Sequence, residues 1–318
     1  MPQVRPISNQ ELAQIFSQHV LWQKSEHRYG KQADLSYRSF SGRDLHNFIR
    51  VSNPSHMKDI IFNGADFSKV KMRDFIFEDC QFSHAMFSNS SLHSIEFNHC
   101  NLDHADFSNT NMQKCHFHHS SMDYTEFRRV SALSVQWTHN KMKDVNFSLF
   151  NSIGQEVHFI DNTVQHMLAY ASSFNNVLFE KNHFKETNFM EATFHNARMI
   201  DCDLDKESDF YSCNIEDCQF ARTKLPFPIY QTTFNLESGA SVPVACDLRG
   251  QRIISEDLIG KCKTENIHMF TKSIRDSYAS TPEKHRVKKA LLDLCKTFQK
   301  QCEDYNGQAS KRGKDIFI

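Results

Sequence analysis

The five residues Ala65-Asp66-Phe67-Ser68-Lys69 return almost unchanged as Ala105-Asp106-Phe107-Ser108-Asn109. Around these two copies every fifth residue is large and apolar, and the residue two positions before it is mostly small or β-branched. The series runs through Met57, Phe62, Phe67, Met72, Phe77, Phe82, Phe87, Leu92, Phe97, Leu102, Phe107, Met112, Phe117, Met122, Phe127, Ala132, Trp137, Met142 and Phe147. It resumes after a two-residue insertion with Phe159, Val164, Ala169, Phe174, Phe179, Phe184, Phe189, Phe194, Met199 and Leu204, and after a one-residue slip with Phe210, Ile215, Phe220 and Leu225.

A fixed period of five predicts the fold, because it fits neither a helix nor a simple alternating strand. The two inward positions of each unit lie two residues apart, as in a strand, and the odd length requires a turn before the next unit. Four units then complete one coil, so residues twenty apart, such as Phe87 and Phe107, should stack. We therefore predict an all-β solenoid of about eight coils, roughly 40 Å long.

The repeated unit resembles the pentapeptide-repeat family, and the resemblance extends over about residues 18–225. It implies a right-handed quadrilateral β-helix. The lead-in Gln18-His19-Val20-Leu21-Trp22 is similar to that of many bacterial members. Arg38 and Arg43 stand where the small inward residue belongs, so we expect the first coil to be irregular.

Segments outside the repeat are expected to cover the two ends of the solenoid, which would otherwise expose unpaired strands. Apolar residues of Glu11–Gln23 share one helical face, which predicts an N-terminal helical cap and lead-in over residues 1–32. The β-helix follows over residues 33–225. Residues 226–318 are predicted to form a C-terminal α-helical module with a basic tail.

Two signals underlie the helical interpretation of the C-terminal module. Apolar residues within Ser255–Tyr278 lie at approximately helical spacing. Thr281-Pro282-Glu283 is typical of a helix start, and a near-heptad series of Val287, Leu291, Leu294, Phe298 and Gln301 follows it. The basic tail is Lys311-Arg312-Gly313-Lys314.

The composition excludes several classes of protein. The 318 residues carry 37 Lys plus Arg against 38 Asp plus Glu, so no overall positive charge favours direct binding to nucleic acid. No run of apolar residues is long enough to predict a membrane span, and the N-terminus shows no signal-peptide pattern. We expect a cytoplasmic location, with export to a host cell without a classical signal peptide as the alternative.

The cysteines give no reason to assign catalysis. Six of the ten occupy the small inward position and are expected to be core residues: Cys80, Cys100, Cys115, Cys202, Cys213 and Cys218. Cys246 is the one thiol expected in an exposed loop, and no histidine signature accompanies it. Because a packed solenoid also leaves no pocket, we expect no enzymatic activity and no cofactor.

The histidines number eighteen, and several share the spacing of the coils. His99, His119 and His139 should form one outward column, and His84 and His104 a second. Rings on neighbouring coils would lie about 5 Å apart. Stacked rings point in parallel, whereas a tetrahedral metal site needs convergent ligands, so we assign no metal.

The repeat region is moderately acidic, with fifteen Lys plus Arg against twenty-three Asp plus Glu between residues 55 and 225, a net charge of −8. Acidic residues crowd its last coils: Asp201, Asp203, Asp205, Glu207, Asp209, Glu216 and Asp217. These residues and the His99, His119 and His139 column are the candidate interaction surface.

Two functions fit these features. The first is a non-enzymatic scaffold that binds another protein, with a secreted bacterial effector as one version and homodimer formation as a further expectation. The second is implied by the resemblance: a DNA mimic that binds or protects a type II topoisomerase (gyrase), as quinolone-resistance pentapeptide proteins do. The insertion near Asn151–Glu156 is short, and Lys141, Lys143, Arg128 and Arg129 interrupt the negative surface, which favours the scaffold.

Overall fold

The structure is a computed structural model that describes residues 3–45, 56–154, 156–205, 207–210, 213–216, 218–223, 229–235, 241–247, 252–256, 262–267, 271–272, 289, 292–301 and 303. The chain winds into a β-solenoid of about seven turns, close to the eight coils predicted. A helix lies at its N-terminal end, and a sheet and a helix follow its last coil.

Each turn of the solenoid has four faces, one for each pentapeptide, and we name them after their first central residues: the Met57, Phe62, Phe67 and Met72 faces. Pairing between turns is parallel throughout the described solenoid. On the Met57 face the central residues pair in register from Met57 to Phe77 and onward to Met199. The predicted stacking of residues one coil apart is confirmed.

Strands pair between turns on three of the faces, and the Phe67 face is joined by single bridges between turns. The Met57 face contains His56–Lys58, His116–His118, Gln136–Thr138, Val157–Ile160, Val177–Glu180, Arg198–Ile200 and Gln219–Ala221. The Met72 face contains Asn111–Gln113, Ser131–Leu133, Asn151–Ser152, Ser173–Asn175, Thr193–His195 and Asn214–Glu216. Two longer strands, Lys71–Glu78 and Ser91–Asn98, belong to both of these faces. The Phe62 face contains Lys141–Lys143, Thr163–Gln165, His183–Lys185 and Asp203–Leu204, and Arg5–Pro6 pairs with Arg38–Ser39 near the N-terminus.

The two phase shifts in the repeat leave the columns in register. Across the two-residue insertion, Trp137 pairs with Phe159, twenty-two residues further on. Across the one-residue slip, Asn188 forms a bridge with Asp209, twenty-one residues further on. The extra residues are therefore accommodated between faces, and the interior pattern continues past them.

A left-handed backbone turn separates successive faces. Residues with φ between 49° and 63° recur every five positions from Asp59 to Leu149, and again, with φ between 50° and 60°, from Asp161 to Asp201. Asp, Asn and His adopt this region more readily than most other non-glycine residues. More than half of these corner positions carry one of the three. This preference explains why histidines fall into columns along the solenoid.

Phenylalanine rings fill the interior in continuous stacks. The Phe107 ring lies 4.7 Å from Phe87 and 5.2 Å from Phe127 between centroids, with nearly parallel planes. It meets Phe97 and Phe117 edge to face, at 5.9 and 5.6 Å. Flat rings stack favourably at the distance that separates two coils. This geometry accounts for the large number of phenylalanines, 28 in the chain.

One inward column is polar and contains Asn140, Asn162 and Asn182, all buried. The Asn162 Nδ2 group donates to the Trp137 carbonyl and to the Asn182 Oδ1 atom, each at 2.9 Å. Its own Oδ1 atom accepts from the Asn140 N–H at 2.9 Å. Asparagine is tolerated at this inward position because its amide bonds to the coils on both sides.

Helix Asn9–Lys24 covers the N-terminal end of the solenoid and lies within the predicted cap. Ser8 caps its start, because its hydroxyl accepts a hydrogen bond from the Glu11 N–H at 3.1 Å. The helix buries Leu12 and Phe16 in the same apolar core as the first coils.

His19 joins this helix to the solenoid from a buried position. Its Nδ1 atom accepts from the Ala33 N–H at 3.2 Å, which leaves Nε2 to donate to the Lys58 carbonyl at 2.8 Å. Gly30 lies where the chain passes closest to the helix. It has φ +77°, and a Cβ atom there would lie 2.2 Å from the Gln18 carbonyl oxygen, so only glycine fits.

Arg38 and Arg43, which replace small inward residues, bind the N-terminal segment to the first coil. The Arg38 guanidinium donates to the Glu11 carboxylate at 2.7 Å, and that of Arg43 donates to the Ile7 carbonyl at 2.5 Å. The first coil therefore departs from the repeat, as expected, because its arginines bind the N-terminal segment.

The C-terminal module contains an antiparallel sheet where the sequence predicted a helix. Strands Ile229–Asn235, Ser241–Asp247, Arg252–Glu256 and Cys262–Asn266 pair in chain order. The predicted helix over Ser255–Tyr278 is therefore wrong where these strands lie. Apolar spacing over a short segment does not distinguish a helix from a strand whose partners lie elsewhere in the chain.

A helix does occupy residues 292–301, within the predicted near-heptad series. Its Cys295 and Phe298 are buried, as is Ile267, and none of the three belongs to the core of the solenoid. The strand Cys262–Asn266 lies beside Asn214–Glu216 of the last coil. Leu225, Thr281-Pro282-Glu283 and the basic tail lie outside the described residues, and the boundaries 1–32, 33–225 and 226–318 stay predictions.

The six cysteines predicted to be core residues are all buried. Burial raises the pKa of the Cys115 thiol to about 12, which makes it unreactive at neutral pH. Cys246 was expected in a loop, and this prediction is wrong. It lies in a strand between Tyr230 and Ile253, because the sheet of the C-terminal module pairs on both of its sides.

Candidate interaction surface

The predicted histidine column lies along the corner between the Met57 and Phe62 faces. The rings of His99 and His119 are 5.0 Å apart and those of His119 and His139 are 4.8 Å apart, with nearly parallel planes. The His139 Nδ1 atom lies 2.9 Å from an Asp161 carboxylate oxygen in the next coil. The three rings stack as their spacing predicts, and their part in binding a partner stays a prediction.

His118, which the sequence reasoning missed, joins this column from the Met57 face. Its ring lies 4.2 Å from that of His119 and 5.5 Å from that of His139. Burial, and then the neighbouring imidazoles, lower the pKa of both His118 and His119 from the usual value of 6.5. The outward position of His118, directly after the central Phe117, was the signal available in the sequence.

Acidification should destabilise the solenoid through this cluster. Because the pKa of His118 and His119 is lower in the folded chain than in the unfolded one, the unfolded chain binds more protons once the pH falls. Above about pH 6.5 these imidazoles are neutral in both states, and the folded chain loses stability as the pH falls below that value because its histidines resist protonation. We expect the urea midpoint to fall between about pH 7.5 and about pH 5.5, as measured by circular dichroism.

Two variants separate the cluster from other titrating groups, including His158, whose pKa burial also lowers and which both variants retain. His119→Gln should reduce this pH dependence, whereas His183→Gln, at an exposed histidine of the Phe62 face, should leave it unchanged. Glu78 and Asp205 also have lowered pKa values, but carboxylates lose their contribution only below about pH 4.5. A pKa for His119 at or above 6.5 in an NMR titration would contradict the prediction.

A second row of rings follows the corner between the Phe62 and Phe67 faces. His84 stacks on His104 at 4.5 Å, and His104 stacks on Tyr124 at 4.8 Å. Two coils further along the same corner, His166 lies 3.0 Å from the carboxylate oxygens of both Asp144 and Glu186. Rows of imidazoles at fixed spacing therefore border both edges of the Phe62 face.

Two of the predicted acidic residues are engaged within the last coils. The Arg222 guanidinium donates to both Asp201 carboxylate oxygens, at 2.5 and 2.7 Å, and lowers the pKa of that carboxyl. The Asp205 carboxylate accepts from the Ser208 N–H at 3.0 Å, from the Ser208 hydroxyl at 2.8 Å and from the Glu186 N–H at 3.0 Å. Asp205 therefore holds the turn that contains the one-residue slip.

The remaining acidic residues that the structure describes lie on different faces of the rod. Asp203 is exposed on the Phe62 face, Glu207 is exposed beyond it, and Asp209 is half-buried on the Phe67 face, each with interactions of its own. Glu216 ends the strand Asn214–Glu216, and its side chain, like the whole of Asp217, lies outside the described residues. The structure brings the described carboxylates to the last coils but distributes them over several faces.

The part of the chain that the structure describes contains neither a metal-ligand cluster nor a membrane-spanning helix. No three His, Cys, Asp or Glu side chains there converge to hold a metal ion. Among the same residues, no helix is both long and apolar enough to cross a lipid bilayer.

An exposed apolar patch, which the sequence reasoning also missed, lies in the middle of the rod. Leu168 and Tyr170 point outward from the Phe67 face, and Leu149 lies at its corner with the Met72 face. Their exposed fractions are 39%, 36% and 38%. Leu149 and Tyr170 occupy positions that are polar in most of the repeats, so their departure from the pattern was the available signal.

Parallel coils of four pentapeptides, closed by left-handed corners and filled by stacked rings, define a quadrilateral β-solenoid. Two family models match the chain: the pentapeptide repeat region over residues 54–127, and pentapeptide repeats (8 copies) over residues 172–206. Residues 54–127 and 172–206 are therefore pentapeptide repeats, as the resemblance implied. No curated protein sequence matches it.

Two solved structures are similar to part of this chain. QnrB1, a plasmid-mediated fluoroquinolone resistance protein, is 18% identical over 57% of this chain and 91% of its own, with a TM-score of 0.36. HetL, a pentapeptide repeat protein involved in heterocyst differentiation regulation from the cyanobacterium Nostoc, is 8% identical over 63% of this chain and 94% of its own, with a TM-score of 0.29.

Proposed function

We propose that this protein is a non-enzymatic scaffold that binds another protein through its C-terminal module and the outward rows of its rod. The observation that carries the proposal is the fixed spacing of exposed side chains, since the corner rings repeat at 4.5 to 5.0 Å. A rigid row of this kind presents its contacts without the entropy cost of ordering them on binding. A cytoplasmic location, with export to a host cell as the alternative, stays a prediction.

The interior beneath the N-terminal helix is packed with apolar side chains, which supports a non-enzymatic role. A small cavity of about 10 Å³ beneath the N-terminal helix is lined only by apolar side chains: Leu12, Phe16, Leu35, Phe40, Leu45, Met57, Phe62, Phe67, Met72, Phe75 and Phe77. None of these can act as an acid, a base or a nucleophile, which catalysis at this cavity would require.

The C-terminal module is the part of the chain best suited to carry specificity. The repeat does not dictate its sequence, and its buried Ile267, Cys295 and Phe298 lie outside the core of the solenoid. On the helix over residues 292–301, Asp293 and Lys296 are exposed. A surface built on a separate core can change without disturbing the coils.

The DNA-mimic alternative needs a continuous negative face. Asp201 is paired with Arg222, Asp205 is engaged in a turn, and Lys141 and Lys143 lie on the Phe62 face. The charge along the rod is therefore mixed, which supports the scaffold over the mimic.

Site-specific photo-cross-linking on the full chain tests the proposal. A photoreactive amino acid at Lys296, on the C-terminal helix, should cross-link to one partner in extracts of the source cells. The same group at Lys71, an exposed position on the Met72 face and away from both rows of rings, is the matched control and should not cross-link. Excess unlabelled protein should abolish the cross-link, and the purified protein should leave gyrase supercoiling unchanged.

Other outcomes would change or overturn the proposal. A cross-link from Lys71 alone that excess unlabelled protein abolishes would place the binding surface on the Met72 face, away from the C-terminal module and the rows of rings. Inhibition of gyrase at stoichiometric protein, or its protection against a quinolone, would support the DNA mimic instead.

A further inference from the structure

The apolar patch of Leu149, Leu168 and Tyr170 has a charge at each end. Along the corner between the Phe67 and Met72 faces, Arg129 lies one coil before Leu149, and Glu191 lies two coils after it. The backbone hydrogen bonds from the Arg129 and Leu149 N–H groups to the next coil, at 3.1 and 2.9 Å, show that these positions are successive steps of one column.

The two charged side chains differ in their surroundings. Arg129 is exposed and forms no ion pair with any described residue. Glu191 is also exposed, and its Oε2 atom accepts from the Tyr170 hydroxyl at 2.7 Å, which holds the carboxylate at the border of the patch. The patch is therefore positive at one end, apolar in the middle and negative at the other.

We propose that a second copy of this chain docks on the patch, antiparallel to the first, about a twofold axis between the Leu149 coil and the next one. Reversing the direction of one rod exchanges the two ends of the patch. Arg129 of one copy then faces the partner's Glu191, and the same pair forms again on the other side of the axis. Such self-complementary surfaces are the rule for twofold interfaces.

The extent of the contact predicts a weak dimer. Six coils of one face, about 4.8 Å apart, give an interface on the order of 1,000 Å² in total, at the lower end of specific protein interfaces. The same geometry places Asp106 opposite the partner's Asp209, outside the apolar patch. These like charges repel each other and oppose tight binding. We therefore expect a concentration-dependent equilibrium between monomer and dimer.

Sedimentation velocity on the purified full chain, from about 5 to about 500 µM, tests this inference. The sedimentation coefficient of the natural chain should rise from the monomer value toward the dimer value. Arg129→Glu and Glu191→Arg should each weaken self-association at least about tenfold, because like charges then face each other across the axis. The double variant should restore it.

Lys69→Glu is the matched control, because Lys69 lies on the same corner column but outside the contact. It should leave self-association unchanged, and circular dichroism should show all variants folded. A natural chain that stays monomeric throughout, single reversals without effect, or a double variant that stays monomeric would each overturn the inference. The measurement needs no other partner, so it stands or falls independently of the scaffold proposal.

Discussion

Replacing Phe107 by alanine should lower the free energy of unfolding by about 3 to 5 kcal/mol. The side chain is fully buried and lies between Phe87 and Phe127 in one stack, with Phe97 and Phe117 against its edges. The neighbouring rings cannot collapse into the space, because each is fixed to its own coil. The free-energy cost of the lost burial and that of the cavity therefore add.

Urea unfolding followed by circular dichroism measures this effect. Tyr124→Ala is the control, because Tyr124 also stacks on a ring one coil away but is 47% exposed. It should cost less than about 1 kcal/mol. A Phe107→Ala chain within about 1 kcal/mol of the natural one would show that the interior stack does not support the rod.

Replacing Asn162 by leucine should cost about 2 to 5 kcal/mol, although the two side chains are similar in size. Leucine cannot accept from the Asn140 N–H or donate to the Trp137 carbonyl, and both groups are inside the solenoid. Each buried polar group that loses its partner costs about 1 to 3 kcal/mol.

The matched control is Asn151→Leu, at an exposed asparagine of the Met72 face. This change should shift the free energy of unfolding by no more than about 0.5 kcal/mol. Equal urea midpoints for Asn162→Leu and the natural chain would mean that the polar column contributes nothing to stability, and an apolar column could then replace it.

The positions of the columns could be read from the sequence because the repeat is local. When every fifth residue is apolar, only a turn after each unit and parallel stacking of coils bury all of them. Phe87, Phe107 and Phe127 therefore lie in one stack, and the His99, His119 and His139 rings lie in another, as their spacing requires.

The partners of outward side chains could be read only in part. Asp201 and Arg222 are one coil apart once the single-residue slip is counted, so their pairing was accessible from the sequence. The engagement of Asp205 with Ser208 was not, because it depends on the shape of one irregular turn. Only the tertiary structure therefore shows which carboxylates are already engaged within the chain.

The sequence by itself determined the solenoid, its faces and the residues of its core, because five-residue periodicity specifies both a local turn and the neighbour one coil away. Only the tertiary structure decided the fold of the C-terminal module. There the apolar residues of Ser255–Tyr278 have helical spacing, yet Arg252–Glu256 and Cys262–Asn266 are strands. Pairing between segments distant in the chain overrides local spacing where no repeat enforces it.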